Sequence, residues 1–258
     1  MPAIDFHDES NRSTYARREA DKSWGALIRS LVDPAGKRVA DVGCGGGVYS
    51  TAWLDLGADT VTAVDFSAAM LSGARERCRG RDRLTFVQGE ACATGLPDGS
   101  VDIVFERALV HHLTDLPAAF REAKRLLSPG GHLIVQDRTF DDVLRPASPS
   151  HLRGYFFDAF PALLTIERAR RPTTADITTA IRTAGLTPVR TRTLTEVRRT
   201  YADADDVRQD LMARTGRSVL HHLDDDQLRR LADHVTHELR GLFPVREEDT
   251  WTVWTARA

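Results

Sequence analysis

A glycine-rich loop lies between a short apolar segment and a helical pattern, and its sequence is Gly43-Cys44-Gly45-Gly46-Gly47. Glycines allow a backbone to approach a ligand closely, and the free amides at the start of the following helix bind polar or anionic groups. Asp65 ends the next predicted strand, 22 residues after Gly43, where its carboxylate can bind both hydroxyls of a ribose. The loop and this carboxylate predict a site for a nucleotide-type cofactor.

The glycine spacing and one nearby charge indicate whether the cofactor is a dinucleotide or a positively charged nucleotide-type molecule. A dinucleotide-binding loop requires glycine at its first, third and sixth positions, whereas the sixth position here is Val48. Asp41 lies two residues before Gly43, and its negative charge repels a pyrophosphate but attracts a positively charged cofactor. The residues therefore favour a positively charged cofactor, and a nicotinamide-dependent oxidoreductase is the weaker alternative.

Two adjacent histidines, His111 and His112, follow the fourth predicted strand by about one helical turn. The ligand site of an open parallel sheet lies at the carboxyl ends of its strands, so we expect these side chains near the substrate. Histidine titrates close to neutral pH and can act as a general base for an acceptor that must lose a proton. His111 and His112 are therefore the candidate catalytic residues. The alternative is structural: one histidine packs against the neighbouring helix and the other is a solvated turn residue.

The sequence contains no set of side chains at the spacing of a metal site. His234, His237 and Glu238 lie close together on one predicted helix, but no further ligand cluster accompanies them, and a solvated helix surface is the simpler interpretation. The three cysteines stand at spacings that match neither a zinc site nor a disulfide framework. We expect no metal ion, and a reducing compartment.

Residues 37–138 alternate short apolar segments with helical patterns, and these elements must position the loop, the acid and the histidines. Strands are predicted at residues 37–42, 60–64, 84–87, 101–105 and 132–135. Helices are predicted at 47–56, 67–79 and 116–127. This alternation is typical of a parallel sheet with helices on both faces. A helix at 173–184 and strands at 186–197 and 251–257 follow later in the chain.

Three segments outside this core have other patterns. Residues 1–36 form a predicted N-terminal helical segment, because apolar residues have helical spacing at 13–32. Residues 139–172 contain four prolines and an aromatic cluster, and residues 200–243 contain two helical patterns. We interpret both as cap or substrate-binding insertions in a single domain over 1–258.

The N-terminal segment also supplies two candidate binding residues, Tyr15 and Arg18. Together with the aromatic residues at 155–160, they are expected to close over the cofactor and to build the substrate pocket, because excluding water and fixing a substrate require mobile apolar walls. Ordinary packing of the helix against the sheet is the alternative.

The ordered series of motifs resembles the class I S-adenosylmethionine-dependent methyltransferases, and within them the small-molecule subgroup called type 11. The motifs are DVGCGGG at 41–47, the acid at position 65, GEA at 89–91, LPDGSVDIVF at 96–105 and EAKRLLSPGGHLIV at 122–135. The likeness covers residues 37–138 closely and is weaker through the C-terminal strands. It implies an α/β, Rossmann-like fold: a seven-stranded, mostly parallel sheet with helices on both faces, an antiparallel last strand and helical cap insertions.

The resemblance also implies roles for individual residues. The methionine end of the cofactor is surrounded by the loop residues Asp41, Gly43, Cys44 and Gly45, and the ribose is bound by Asp65. The adenine pocket is lined by Phe66 and Met70, and its edge is met by Glu90 and Ala91. Glu106 or Arg107 lies at a strand end that faces the methyl group. Glu90 departs from the family, which commonly has aspartate at this position.

The function implied is transfer of the methyl group of S-adenosylmethionine to a small-molecule acceptor, with S-adenosylhomocysteine as product. A non-catalytic cofactor-binding module is the alternative. Nucleic acid is not expected as acceptor, because the net charge is −2 and Glu106-Arg107-Ala108-Leu109 stands where an Asn/Asp-Pro-Pro-aromatic run would follow the fourth strand. No secretion signal or membrane-spanning run is predicted, so we expect a cytoplasmic protein. The methylated atom stays open, as does the oligomeric state, for which we consider a homodimer.

Overall fold

A computed structural model of the chain describes residues 20–214 and 216–258. In these residues seven strands form one sheet in the order β3-β2-β1-β4-β5-β7-β6. The strands are β1 (Arg38–Val42), β2 (Thr60–Asp65), β3 (Leu84–Gln88), β4 (Val101–Arg107), β5 (Leu127–Asp137), β6 (Arg190–Tyr201) and β7 (Val245–Arg257). The first five strands pair in parallel, whereas β7 runs antiparallel to β5. The predicted fold class is thereby confirmed.

Ten helices accompany the sheet in the described part of the chain. They are α1 (Lys22–Leu31), α2 (Val48–Asp55), α3 (Ala68–Arg77), α4 (Leu116–Leu126), α5 (Phe140–Val143), α6 (Leu152–Ala159), α7 (Ala162–Arg170), α8 (Thr174–Thr183), α9 (Ala204–Met212) and α10 (Asp225–Glu238). The described helices are too short or too polar to cross a membrane. Tyr15 and Arg18 lie outside the described residues, as do residues 13–19 of the predicted helix at 13–32, whereas α1 forms within its remaining part.

The chain divides into two compact units. The first, called here the sheet unit, contains described residues 20–137, Pro172–Leu194 and Trp251–Ala258. The second, called the helical unit, contains Arg138–Arg171 and Thr195–Thr250. The predicted single domain, its core at 37–138 and the substrate role of 139–172 and 200–243 stay predictions.

Local sequence explains how the sheet unit presents the carboxyl ends of its strands. β1 is buried along four of its five residues, as expected for a parallel strand covered on both faces. α3 begins at Ser67, whose side chain accepts a hydrogen bond from the Met70 amide, and α4 begins at Asp115, whose carboxylate accepts from the Ala118 amide. α3 therefore starts three residues after the end of β2 and α4 nine residues after the end of β4, and the connecting loops lie at that edge of the sheet.

The helical unit contains a polar network that the sequence did not predict. The Arg217 guanidinium donates to Asp210 at 2.7 Å and to Glu247 at 2.5 Å, and the Tyr201 hydroxyl lies 2.9 Å and 2.8 Å from the same two carboxylates. Arg198 donates to both acids at 3.0 Å. Two cations balance two anions inside the unit, so each buried charge has a partner.

Candidate active site

The glycine loop joins β1 to α2 and has room for a ligand at one of its glycines. Gly43, Gly45 and Gly47 all have positive φ angles. A Cβ atom at Gly43 would lie 2.9 Å from the Leu109 side chain, and one at Gly47 would lie 2.9 Å from the Cys78 sulfur. At Gly45 the nearest described atom is Met70 Cε at 3.5 Å. Internal packing therefore requires glycine at the first and last of these positions, whereas a Cβ atom at Gly45 would make only an ordinary van der Waals contact with Met70.

Asp65 connects the loop to the next helix. One carboxylate oxygen accepts a hydrogen bond from the Gly45 amide at 2.9 Å, and the other accepts from the Ser67 amide at 2.9 Å. A carboxylate oxygen can accept more than one hydrogen bond, so Asp65 retains capacity to bind two hydroxyls. The side chain therefore orders the loop and fits the ribose role as well.

Asp41 lies in β1, two residues before the loop, and is only 2% exposed. Burial is the main cause that raises its pKa to about 7, the charge of Asp65 raises it further, and the Ser50 hydroxyl and Arg107 act in the opposite direction. The sequence suggested a fixed negative charge here. The carboxyl group is instead about half ionised near neutral pH, so a cation bound beside the loop would complete its ionisation.

Arg107 and Glu106 point to opposite faces of the sheet, because consecutive side chains of a strand alternate. Phe105 pairs with Asp41, so Arg107 shares the face of Asp41. The Arg107 guanidinium lies between two aromatic rings, 4.1 Å from the Tyr49 ring centroid and 4.0 Å from that of Trp251. Cation–π contacts on both sides hold this positive charge close to the glycine loop.

Glu106 shares the other face with a histidine and an aspartate. Its register partner on β5 is Val135, so Asp137, two residues later, lies on the same face. Glu106 is 1% exposed, and burial and the Asp137 charge together raise its pKa to about 8. Its carboxyl group is therefore mostly protonated at neutral pH.

The two candidate histidines differ in how far they are buried. His111 is 7% exposed, and its Nδ1 lies 2.9 Å from both carboxylate oxygens of Asp137, whereas His112 is exposed. The two rings are 4.0 Å apart. Asp137 was missed by the sequence reasoning, although its position directly after an apolar strand is the signal that identified Asp65. An aspartate at Nδ1 orients a histidine and leaves Nε2 as the basic nitrogen.

The residues assigned to the adenine site differ in how far they are exposed. Phe66 is 43% exposed after β2, whereas Met70 is buried in α3 beside Gly45. Glu90 is exposed, and its carbonyl accepts a hydrogen bond from the Ala93 amide at 3.0 Å. Ala91 packs at the margin of the core formed by β1, β4, β5 and α4. The structure thus brings Met70 close to the loop and leaves Phe66 and Glu90 accessible to a ligand.

Cys44 and His234 pack against other parts of the protein. Burial raises the pKa of the Cys44 thiol well above its usual range, so this side chain is a neutral part of the loop. His234 packs edge to face on Tyr155, with 6.1 Å between ring centroids. Across residues 20–214 and 216–258, no three or more histidine, cysteine or acidic side chains are grouped to hold a metal ion.

The strand order, the glycine loop after β1 and the acid at the end of β2 define a Rossmann-like, cofactor-binding sheet. Residues 40–135 match the family model described as a methyltransferase domain. The resemblance of this segment to the methyltransferases, inferred from the sequence, is thereby confirmed.

Individual proteins show how far this likeness extends. Malonyl-[acyl-carrier protein] O-methyltransferase of Serratia marcescens is 36% identical over 99 residues, 38% of this chain and 37% of that protein. A candidate methyltransferase from an antibiotic biosynthesis pathway of Anabaena variabilis ATCC 29413 has a TM-score of 0.72 at 21% identity, covering 93% of this chain and 98% of that one. A phosphoethanolamine N-methyltransferase of Haemonchus contortus, solved with phosphomonomethylethanolamine and S-adenosylhomocysteine, has a TM-score of 0.63 at 17% identity, covering 100% and 61%. The chain spans less than two-thirds of the length of the first curated relatives it matches.

Proposed function

We propose that this protein transfers the methyl group of S-adenosylmethionine to a small-molecule acceptor and releases S-adenosylhomocysteine. The observation that carries the proposal is the space at Gly45, next to Asp65, inside the segment that matches the methyltransferase domain. When bound, the cofactor would supply a methyl carbon on positively charged sulfur, to which an acceptor lone pair could bond while the carbon–sulfur electron pair stays on sulfur. The chain's own residues must bind, orient and exclude water.

Different residues around the loop contact different parts of the cofactor. Asp65 binds the ribose hydroxyls, and the amino-acid end lies against Asp41, Gly43, Cys44, Gly45 and Arg107. A carboxyl group and a guanidinium on one face of the sheet complement the ammonium and carboxylate groups of an amino acid. Phe66, Met70, Glu90 and Ala91 hold the adenine, and Tyr15 closes over the site. Glu106 lies nearest the methyl group.

His111 is the residue we assign to acid–base chemistry. Asp137 binds its Nδ1, so Nε2 is free of the ring proton and can take a proton from an acceptor hydroxyl or amine. His112 is exposed and has the weaker claim. Alignment of the acceptor with the methyl group supplies the rest of the acceleration.

Three further expectations belong to the same proposal. The acceptor is a small molecule rather than nucleic acid, because the residues after β4 lack the motif of base methylation. A cytoplasmic location and a homodimer are the corresponding expectations for the protein in the cell. The rival function, a cofactor-binding module without turnover, makes the same binding predictions and differs only in methyl transfer.

We expect Asp65→Ala to weaken S-adenosylhomocysteine binding by about 1.5–3 kcal/mol, roughly 10- to 150-fold. The cause is loss of two charge-assisted hydrogen bonds to the ribose. Calorimetric titration gives the dissociation constants, and the 2′-deoxy analogue of S-adenosylhomocysteine identifies the contact. Removing the hydroxyl should weaken binding to the parent and have little further effect in the variant.

Asp59→Ala is the matched control, since Asp59 is an exposed acid just before β2. It should leave both dissociation constants unchanged. Equal affinity of Asp65→Ala and the parent would remove the ribose assignment, and tight binding of NAD by the parent would favour the oxidoreductase alternative.

A further inference from the structure

Glu106 is a buried acid with an oxygen that binds nothing. Its Oε2 has no hydrogen-bond partner among the described residues, and the side chain is 1% exposed. An unsatisfied buried carboxyl oxygen destabilises the folded protein, and a leucine or glutamine in its place is the expected structural solution. A ligand that interacts with the Glu106 carboxyl group would account for its buried, unpaired oxygen.

The position of Glu106 brings it to the cofactor loop. It is the second-last residue of β4 and pairs with Val42 of β1, the residue directly before Gly43. Adjacent strands lie about 4.8 Å apart, so the Glu106 backbone is next to the start of the glycine loop. Leu109, three residues later, packs at Gly43. Glu106 thus lies where open parallel sheets bind their ligands.

The charge that acts on Glu106 is acidic, and two other titratable groups lie near it. Asp137 on β5 is the charge that acts on it, and His111 in the turn after β4 is held by that same aspartate. Cys92, after β3, is close enough for Glu106 to raise its pKa. Asp41 differs, because the Ser50 hydroxyl and the Arg107 guanidinium both stabilise its charged form. Compared with Asp41, Glu106 has the less compensated carboxyl group.

We propose that Glu106 distinguishes the positively charged methyl donor from its uncharged product, by releasing a proton when the donor binds. This inference rests on the proposed function. S-adenosylmethionine and S-adenosylhomocysteine differ in one methyl group and one positive charge at sulfur. A carboxyl group that ionises beside that charge binds the donor more tightly than the product, so transfer of the methyl group itself weakens retention of the product.

The sign of the effect follows from the protonation state. With a pKa of about 8, Glu106 is mostly uncharged at pH 7, and a nearby positive charge lowers that pKa. Donor binding therefore moves a proton from Glu106 to the buffer. The ratio of product to donor dissociation constants should rise with pH, by at most about tenfold per unit, and level off above pH 8.

The test is a calorimetric titration of the complete protein with S-adenosylmethionine and with S-adenosylhomocysteine, each in two buffers of different ionisation enthalpy. The comparison yields the number of protons released. At pH 7 the parent should release about 0.5–1 proton more with the donor than with the product. Glu106→Gln should abolish most of this difference and should bind the two ligands with more similar affinity. Asp59→Asn, at an exposed acid just before β2, is the control and should keep the difference. Asp41→Asn is measured beside it, because Asp41 is another acid that a bound cation would ionise.

Two results would overturn the inference: equal proton release by the parent with both ligands, or an unchanged difference in Glu106→Gln. Loss of the difference in Asp41→Asn instead would reassign the effect to Asp41. If Glu106→Gln does not fold, Asp137→Asn replaces it, because removing the neighbouring charge lowers the Glu106 pKa and should reduce the release of protons at pH 7. Failure of both ligands to bind the parent would contradict the proposed function and is thus distinguishable from failure of this inference.

Discussion

His111→Ala is expected to lower kcat by about 10²- to 10⁴-fold while leaving the affinity for S-adenosylhomocysteine nearly unchanged. The side chain is oriented by Asp137 and lies on the face of the sheet opposite Asp41 and Arg107, so its loss removes a base without disturbing the amino-acid end of the cofactor site. The measurement is a pH–rate profile with the acceptor that the protein methylates. In the parent, kcat/KM should rise with pH through a histidine-like pKa, because only the neutral ring accepts a proton.

His112→Ala is the matched control, since this exposed neighbour should change kcat by no more than a few-fold. Asp137→Asn should lie between the two, because the histidine is retained but its tautomer is no longer fixed. A flat pH profile, with His111→Ala within a few-fold of the parent, would make His111 a structural residue. Methyl transfer would then depend on alignment alone.

Gly45→Val should abolish measurable cofactor binding, which corresponds to a loss of at least about 100-fold in affinity. Its side chain would occupy the space that the loop leaves open, and φ at this position is +52°, which disfavours a β-branched residue. Titration with S-adenosylhomocysteine gives the result directly, and circular dichroism establishes that the sheet is formed.

Gly80→Val is the control that distinguishes backbone strain from the loss of space for the cofactor. Gly80 also has a positive φ, +82°, but no described atom lies within 4 Å of a Cβ built there, and it is in the turn after α3. This control should lose stability yet bind the cofactor normally. A Gly45→Val protein that folds and binds like the parent would show that the cofactor does not approach the loop at this residue.

The sequence predicted the elements whose patterns are local. β1 to β4, the glycine loop and the Ser67 cap follow from apolar periodicity, glycine spacing and capping residues, and are found where expected. β5 contains the predicted strand at 132–135 but begins earlier, at Leu127. The prolines of 139–172 concealed three helices: Pro161 directly precedes α7, where its fixed φ is compatible with a helix start. Periodicity alone did not reveal this, because these helices are short.

Pairings between distant residues were the part that the sequence did not predict. Asp137 and His111 are 26 residues apart, and only the alignment of β4 with β5 brings them together. That Glu106 shares a face with Asp137, and Arg107 with Asp41, follows from strand register, which no motif specifies. The ion pairs of Arg217 with Asp210 and Glu247 likewise depend on the packing of separate segments of the chain. Motifs therefore located the cofactor loop, whereas the acid–base residues required the structure.

Transfer of an isotopically labelled methyl group tests the central claim most directly. The purified protein is incubated with S-adenosylmethionine carrying a ¹³C-methyl group and with a small-molecule fraction of cell extract, and labelled products are detected by mass spectrometry. We predict a labelled small molecule that forms together with an equal amount of S-adenosylhomocysteine and is absent with the Gly45→Val protein. Tight binding of S-adenosylmethionine with no label transferred to any small molecule would contradict the account and identify a binding module instead.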